Sequence, residues 1–387
     1  MIKVLFINHV SSEMGGGAER VLYDILSNID KNRITPVLLC PKIPDGSDFN
    51  NIKNSITCYE IDFGKLTFKS KLKGIFAIFL KLIILSQKIC KIIKKENINL
   101  IYANSLISGF FSLLPSLILN KNLIYHEHGL PILRRGSLWH KCFPLITKKS
   151  SKIIAISGAV KQALQNEGVD GKKIEIIYNG IILANSNTHK KIDFKKQFNI
   201  SPEEKVVGKV AHFLPWKGHM TFLKSIPLVL RDFSNVKFII VGGGRAGDEP
   251  YYKKLQSYVK EADIEKSVVF TGYRNDAIEI MKEFEILVHA SEAEPFGLIF
   301  LEAMMLGKPI IATNAGAAPE IIIEKENGLL FQPGNHLMLA QCILRLLKDP
   351  EKCLQMGIKG RELAQKKFTL RAQVEKIQAL LEKESIN

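Results

Sequence analysis

The chain has 387 residues, more than one ordinary hydrophobic core accommodates, and this length predicts two domains. Its 46% hydrophobic and 24% charged residues are typical of a soluble globular protein, and the six scattered cysteines, without a CxxC pair, argue against a zinc site or a disulfide framework. The net charge of +16 lies mainly in the first half, where residues 1–190 hold 26 Lys and Arg against 13 Asp and Glu.

A basic first half suits two kinds of partner, an anionic bilayer surface or nucleic acid. No nucleic-acid-binding motif of a recognisable type is present, so we expect no nucleic acid partner. The chain starts with the strand-like run MIKVLFINHV and shows no small-residue cleavage site after it. We therefore expect a cytoplasmic protein, including the inner face of the plasma membrane as a location.

The first predicted unit is a strand, a glycine loop and a helix. Residues 1–9 form an apolar run, residues 11–17 include three consecutive glycines, and apolar residues then recur at helical spacing from Ala18 to Ile29. Gly16 and Gly17 let the backbone approach a ligand closely, and the helix N-terminus behind them favours an anion. The GxGxxG dinucleotide fingerprint is absent. Simple turn chemistry remains the common alternative for such a loop.

Strand-like runs at 34–40 and 55–63 precede a Lys-rich helical stretch at 68–95. Its lysines at 73, 81, 88, 91 and 95 lie along one helical stripe, beside an apolar face that includes Phe76, Phe79, Leu82, Ile83 and Ile93. Two interpretations stay open: a core helix with a solvated basic face, or a helix that lies on an anionic membrane. Neither 74–85 nor 106–119 reaches the ~20 apolar residues of a membrane span.

Strand-like runs at 97–103 and 122–125 lead to the sequence His126-Glu127-His128-Gly129. Two histidines at i and i+2 are possible metal ligands, but no third and fourth ligands are spaced nearby, so we predict no metal site. A structural role is the commoner case for either histidine.

The second half begins after a polar linker at 181–204 with a strand at 206–211. Lys217 is followed by Gly218 at the start of a helix, where an ammonium can balance charge on a leaving phosphate. The common alternative is a solvated surface lysine. Further strands are predicted at 236–241 and 267–271.

Residues 289–320 predict a strand, a Pro- and Gly-broken loop, a helix that ends at Gly307 and another strand. Glu294 lies in the loop and Glu302 about two helical turns further on, so both carboxylates can face one bound molecule at the carboxyl edge of a sheet. The amides of Phe296, Gly297 and Leu298 carry the positive end of the helix dipole, which suits a phosphate. The alternative is that both glutamates are simply solvated.

The same stretch resembles the signature of the family-4 glycosyltransferases, also called group 1. The resemblance is carried by Glu294 and Glu302 with seven residues between them, by Pro295-Phe296-Gly297, and by the later Gly307-Lys308-Pro309 and Pro319-Glu320. It implies an α/β protein of GT-B architecture, with two Rossmann-like doubly wound domains and a cleft between them. The implied domains are 1–182 for the acceptor and 183–365 for the nucleotide sugar, with a helix at 366–387 that crosses back to the first domain.

The resemblance also assigns roles to the residues of the second half. Glu294 would hold hydroxyls of the donor sugar, Glu302 the nucleotide ribose and Lys217 the departing diphosphate. Tyr273 and Arg274 resemble the family's loop beneath the nucleotide base. His212 stands where the family commonly has an arginine, and a neutral imidazole supplies less charge there than a guanidinium.

In the first half, Gly16-Gly17-Ala18-Glu19 resembles the family's loop against the donor phosphates or the acceptor. His128, followed by glycine at the end of a strand, matches the residue that contacts the donor sugar from the opposite domain. His126 has no such match.

The implied function is a retaining hexosyltransferase that moves a sugar from a UDP- or GDP-sugar to a hydroxyl of a saccharide or lipid-linked acceptor. Cell-surface polysaccharide, lipopolysaccharide or glycolipid synthesis is the expected setting. No DxD motif occurs, so we expect catalysis without a metal, and no cofactor beyond the donor as co-substrate. The alternatives are another GT-B activity, such as an epimerase or phosphorylase, or a non-catalytic basic protein that binds membrane or nucleic acid.

Overall fold

The chain folds as two units in a computed structural model, which describes residues 1–10, 16–43, 50–63, 71–131, 138–182, 194–243 and 249–386. Unit 1 comprises Met1–Asn179 with Leu370–Asn387, and unit 2 comprises Gly180–Thr369. Residues 183–193 of the predicted linker lie outside the described residues, and so do residues 11–15 of the predicted glycine loop.

The strands of the described residues are short apolar runs, which matches the demand of parallel sheets that are covered on both faces. They are β1 (Ile2–Ile7), β2 (Ile34–Cys40), β3 (Thr57–Glu60), β4 (Leu100–Ala103), β5 (Asn122–Glu127), β6 (Lys152–Ala155), β7 (Ile174–Ile176), β8 (Lys205–Val210), β9 (Val236–Val241), β10 (Val268–Gly272), β11 (Ile286–His289), β12 (Ile310–Thr313) and β13 (Gly328–Phe331).

Helices alternate with these strands along the chain. Those of the described residues are α1 (Gly17–Asn28), α2 (Asn50–Lys53), α3 (Lys71–Glu96), α4 (Leu106–Ile118), α5 (Leu138–Lys149), α6 (Gly158–Asn166), α7 (Phe194–Gln197), α8 (His219–Asp232), α9 (Glu249–Glu261), α10 (Ala277–Lys282), α11 (Leu298–Met305), α12 (Ala318–Ile321), α13 (His336–Leu347), α14 (Pro350–Lys367) and α15 (Leu370–Ile386).

Unit 1 contains a parallel sheet in the order β3-β2-β1-β4-β5-β6-β7. The C-terminal helix α15 packs against α1, β1 and β4 and so belongs to this unit. Arg33 binds Glu382 of α15 through two hydrogen bonds of 2.8 and 2.6 Å, and the amide of Asp30 donates to Gln378 at 3.0 Å.

Unit 2 contains a parallel sheet in the order β10-β9-β8-β11-β12-β13. Its core lies between the sheet and helices such as α8 and α13, where Phe222, Leu223 and Ile343 are fully buried. The strand order of each sheet reverses once, between β1 and β4 in unit 1 and between β8 and β11 in unit 2. The carboxyl ends of strands at such a reversal form the usual ligand crevice of a doubly wound sheet.

The predicted fold class is confirmed, since each unit is a parallel sheet with helices between its strands. The predicted strand at 55–63 is shorter, at Thr57–Glu60, and the Lys-rich stretch forms α3. On the apolar face predicted for α3, Ile93 is buried and Ile83 is 37% exposed, while the side chains of Phe76 and Phe79 lie outside the described part of the chain. None of the helices in the described ranges has the length and apolar character that a bilayer crossing requires.

Candidate functional site

Lys217 is placed by a tight turn after β8. Pro215–Lys217 form a 3-10 turn, and Gly218 then adopts a left-handed conformation with φ of +68°. A Cβ at Gly218 would lie 1.8 Å from the carbonyl oxygen of Ala290, so this position accepts only glycine without a shift of the backbone. The turn that carries Lys217 therefore packs against Ala290, the residue that follows β11. Strands β8 and β11 are the neighbours at which the strand order reverses.

The loop after β11 is built around Glu294. The Glu294 carbonyl accepts a hydrogen bond from the amide of Ala317 at 2.8 Å. A Cβ at Gly316 would lie 2.3 Å from that same carbonyl oxygen, and one at Gly297 would lie 2.7 Å from the Phe300 ring. Both glycines have positive φ, +59° and +88°, so these turns hold the loop in one path.

These elements bring together an ion pair and a histidine. Lys217 Nζ lies 2.7 Å from Glu294 Oε2, and His289 Nε2 lies 2.7 Å from the same oxygen. The Ser291 hydroxyl lies 2.8 Å from His289 Nε2. The side chain of His289 is 3% exposed and that of Glu294 11%, so the contacts are largely shielded from water.

The charge state of this cluster follows from its partners. Burial alone raises the pKa of Glu294, but Lys217 and His289 oppose it and hold that pKa at about 2. Burial lowers the pKa of His289 to about 4, against the opposing effect of Glu294. At neutral pH the carboxylate is therefore ionised and the imidazole neutral, and His289 donates through Nε2 because an ionised carboxylate only accepts.

The other predicted residues of this loop lie on or before α11. Phe296 is buried with its ring against Phe368, at 6.1 Å between centroids, so its side chain serves packing. Leu298 is the first residue of α11, whose N-cap is Gly297. Glu302 lies in the middle of α11 and is 8% exposed, which rules out the alternative of a freely solvated carboxylate.

Three further predicted residues, His212, Tyr273 and Arg274, follow strands of the same sheet at its carboxyl edge. His212 begins the loop that ends at Lys217, and its carbonyl accepts from the amide of Leu214 at 2.8 Å. Tyr273 and Arg274 follow β10, which lies two strands from β8, or roughly 10 Å at the usual strand spacing. Tyr273 is 59% exposed.

Arg274 is held by its own loop. Its guanidinium donates two hydrogen bonds to Asp276, of 2.7 and 2.6 Å, and these raise the pKa of the arginine. The paired guanidinium presents a fixed plane near the end of β10.

In unit 1, Asn104 connects His128 with α1, the helix behind the predicted glycine loop. His128 Nε2 lies 2.9 Å from Asn104 Oδ1, and Asn104 Nδ2 donates to the carbonyl of Ala18 at 3.2 Å. Gly16 is the N-cap of α1 and Gly17 its first residue, so His128 and the helix behind the glycine loop are fixed to each other. Burial lowers the pKa of His128 to about 3, which keeps the imidazole neutral at physiological pH.

His126 has the structural role that the sequence favours. It is fully buried, its Nδ1 contacts the Tyr102 hydroxyl, and its ring lies 3.9 Å from that of His128. Within the described ranges, no group of three or more His, Cys, Asp or Glu side chains is arranged to hold a metal ion.

Sequence reasoning missed four residues of these sites: Asn104, Lys209, His289 and Ser291. Each stands at or just after the carboxyl end of a strand, next to the reversal of strand order in its sheet. The signal for Asn104, His289 and Ser291 is a polar residue at or just after a predicted strand end, and structural residues give the same signal. Lys209 is enclosed in an apolar run and gives no such signal.

A doubly wound α/β fold with buried charged groups at the reversal of strand order defines a protein that binds its ligand at the carboxyl edge of the sheet. Comparison with known proteins names the family. Residues 190–363 match the family described as "Glycosyl transferases group 1", and residues 15–185 match "Glycosyltransferase Family 4". The chain belongs to the family-4, group 1 glycosyltransferases.

Individual relatives agree with this assignment. The chain is 30% identical over 285 residues to an uncharacterised glycosyltransferase of Methanocaldococcus jannaschii, covering 71% of this chain and 73% of that protein. It is 25% identical to the N-acetyl-alpha-D-glucosaminyl L-malate synthase of Bacillus anthracis, covering 73% and 74%. The structure of Anabaena HepE with UDP and glucose shares the fold, with a TM-score of 0.81, 24% identity and coverage of 99% of this chain and 100% of that chain.

The protein is therefore a glycosyltransferase of GT-B fold, an enzyme that transfers a sugar to an acceptor. Nothing in the comparisons supports an epimerase, a phosphorylase or a non-catalytic binding protein.

Proposed function

We propose that this protein is a retaining, metal-independent hexosyltransferase that uses a UDP- or GDP-sugar and a saccharide or lipid-linked acceptor. The setting we propose is cell-surface polysaccharide, lipopolysaccharide or glycolipid synthesis at the cytoplasmic face of a membrane. The observation that carries the proposal is the buried Lys217–Glu294 pair at the strand-order reversal of unit 2.

Lys217 is the proposed partner of the diphosphate. When the bond from the sugar carbon to the phosphate oxygen breaks, the electron pair leaves with the nucleoside diphosphate, which gains negative charge. An ammonium already held in a largely dry site stabilises that charge more than one in water. The first amides of α11, after Gly297, add the positive end of a helix. These groups are what allows the proposed reaction to proceed without a metal.

Glu294 is the proposed holder of the donor sugar. Its carboxylate is ionised at neutral pH and accepts hydrogen bonds from sugar hydroxyls. In the structure Glu294 Oε2 accepts from Lys217 and His289. We propose that Lys217 exchanges this carboxylate for the diphosphate when the donor binds. The remaining roles, Glu302 with the ribose, His128 with the sugar and Tyr273 with Arg274 beneath the base, rest on the family resemblance.

The test is a transfer assay with a panel of nucleotide sugars, which starts with UDP-glucose because HepE is known with that compound. Release of the nucleoside diphosphate identifies the donor, and NMR of the product reports whether the anomeric configuration is kept. We expect activity to survive EDTA. An inverted product would disprove the retaining assignment, and loss of activity restored by a divalent ion would disprove metal independence.

Site variants test the roles of the pair. Lys217→Met and Glu294→Gln keep side-chain volume and should each lower kcat/KM about a hundredfold or more, the usual effect of losing one group that stabilises transition-state charge. Lys224→Met, an exposed lysine on α8, is the matched control and should retain full activity. Wild-type activity in either site variant would contradict the assignment.

A second proposal concerns the membrane, and α3 supports it. Leu80, Ile83 and Ile84 are 48%, 37% and 45% exposed at i, i+3 and i+4, and the exposed Lys88 and Lys91 continue the same face. Apolar side chains followed by lysines along one helical face suit the surface of an anionic bilayer. Sedimentation with vesicles that contain phosphatidylglycerol should therefore recover the protein, and failure to bind them would contradict this proposal.

A further inference from the structure

Lys209 occupies an unusual place, the last position but one of strand β8. Its side chain is fully buried, with 0% exposure, and its Nζ has no hydrogen-bond partner in the described part of the chain. A buried amine without a partner is costly, and a methionine would fill the same volume without that cost. A lysine at this position therefore calls for a reason other than packing.

Lys209 lies on the strand that pairs with β11, where its neighbour Gly208 stands opposite Leu287, two residues before His289. The ammonium group of Lys209 interacts electrostatically with four charged or titratable groups. These are Lys217 from the turn after β8, Glu294 from the loop after β11, His289 from β11 and His219 from α8. Three of these four groups belong to, or directly follow, the two strands at the reversal of strand order. Lys209 is thus the buried neighbour of the ion pair that meets the donor in the proposed function.

We propose that Lys209 is a positioning residue of the donor site, which supplies the countercharge of Glu294 when Lys217 turns to the diphosphate. This inference rests on the proposed function, because it needs a diphosphate to draw Lys217 away. Lys209 acts through Glu294 and does not itself contact the donor, since its amine is shielded from solvent.

The charge state of Lys209 should change with the occupancy of the site. Burial, with a further contribution from Lys217 and against an opposing one from Glu294, lowers the pKa of Lys209 to about 7. At pH 8 the amine of the empty site is therefore mostly neutral. A bound diphosphate compensates the charge of Lys217 and adds negative charge, and both effects raise the pKa of Lys209. Binding at pH 8 should then take up a proton.

At pH 6 the amine of Lys209 is already protonated in the empty site. Nucleotide binding at pH 6 should therefore cause little further proton uptake by Lys209. The two histidines of the group are neutral at pH 8, because burial lowers the pKa of His289 to about 4 and that of His219 well below its ordinary value. A variant at Lys209 is needed to separate their contribution.

The experiment is calorimetric titration of the full-length protein with UDP and with GDP at pH 6 and pH 8, in buffers of different ionisation enthalpy. We expect the wild type to take up about half a proton or more per nucleotide at pH 8 and much less at pH 6. Lys209→Met should abolish the uptake at pH 8 and weaken binding about tenfold, the equivalent of one pKa unit.

Lys205→Met is the matched control. Lys205 begins the same strand, its side chain is 38% exposed and its Nζ pairs with Glu285 at 3.3 Å, away from the cluster. This variant should bind and take up protons like the wild type. Lys209→Met should unfold at the same temperature as the wild type or higher, because it removes a buried polar group without a partner. If Lys209→Met fails to fold, proton uptake is measured in Lys209→Leu instead. The difference in proton uptake of the wild type between pH 6 and pH 8 is a second measurement.

The outcomes separate the two proposals. Nucleotide binding with no proton uptake at pH 8, or with the same uptake in Lys209→Met, overturns the role of Lys209 and leaves the proposed function intact. If neither UDP nor GDP binds the wild type, the assignment of the donor site fails, and the role of Lys209 fails with it.

Discussion

At the residue scale, one oxygen of Glu294 has two donors, the ammonium of Lys217 and the imidazole of His289. These contacts keep the carboxylate ionised in surroundings that on their own would favour its protonated form. Because the folded-state pKa is about 2, the carboxylate of the wild type stays charged at any pH well above that value. Its ionisation therefore depends on its partners rather than on the solution pH.

The His289→Leu variant tests this dependence. Leucine removes the Nε2–H donor while the site stays buried, so the pKa of Glu294 should rise. As pH falls through that raised pKa, the carboxylate takes up a proton and, in its proposed role, accepts fewer hydrogen bonds from sugar hydroxyls. We expect the acid limb of kcat/KM to move to higher pH, and kcat/KM at pH 7 to fall about tenfold, as for loss of one hydrogen bond to a charged group.

The matched control is His289→Gln, whose side-chain amide keeps an N–H donor near the position of Nε2. Its acid limb should stay close to that of the wild type. An unchanged pH profile in His289→Leu would mean that Lys217 alone holds the charge of Glu294.

Single residues of the site were predictable to different degrees. The sequence singles out Glu294, Lys217 and His128 as candidates because each stands in a short motif with glycine or proline neighbours. His289 and Asn104 were not, because a histidine or asparagine at a strand end is as often a structural residue. The contact that matters most joins Lys217 and Glu294, 77 positions apart, and depends on which strands are neighbours.

At the element scale, local patterns predicted most strands and helices, because apolar runs of four to seven residues and helical spacing reflect local geometry. The order of the strands is a different matter. That β8 lies beside β11 rather than β10 depends on long-range pairing, which no short window records. The closeness of the turn at Lys217 to the end of β11 follows from that pairing and could be seen only in the structure.

The turn at Gly218 yields a prediction for this scale. Gly218→Ala places a Cβ 1.8 Å from the Ala290 carbonyl oxygen at a positive φ, so the turn must move away from β11. We expect a loss of unfolding free energy of about 2 kcal/mol or more, beyond the ~1 kcal/mol of a left-handed alanine alone. Nucleotide binding should weaken about tenfold, because Lys217 moves with the turn. Urea unfolding and titration with UDP or GDP measure the two effects.

Gly334→Ala is the control for backbone strain. Gly334 has a φ of +77°, and a Cβ there would meet no atom within 4 Å. This variant should cost only the left-handed penalty and leave nucleotide binding unchanged. Equal losses of stability in the two variants would show that the contact with Ala290 relaxes at little cost.

At the scale of the whole molecule, charge is divided unevenly along the chain. Residues 1–190 have a net charge of +13. In the rest of the chain, positive and negative charges nearly cancel. The exposed apolar residues of α3 lie within that basic part. A surface of this kind has two separable contributions to membrane binding, a long-range attraction that salt screens and a short-range apolar contact that salt does not weaken.

Vesicle binding at two salt concentrations separates these contributions. Binding of the wild type to vesicles with phosphatidylglycerol should fall as the salt concentration rises from about 0.05 to about 0.5 M, since the screening length shortens several-fold. A residual, salt-resistant fraction should remain and should be lost in the triple variant Leu80→Ser, Ile83→Ser, Ile84→Ser. The control is Leu354→Ser with Ile358→Ser, exposed apolar residues on α14 of unit 2, which should bind like the wild type. If the control loses as much binding as the triple variant, the apolar contact is not made by α3; if salt has no effect, the basic first half does not attract the bilayer.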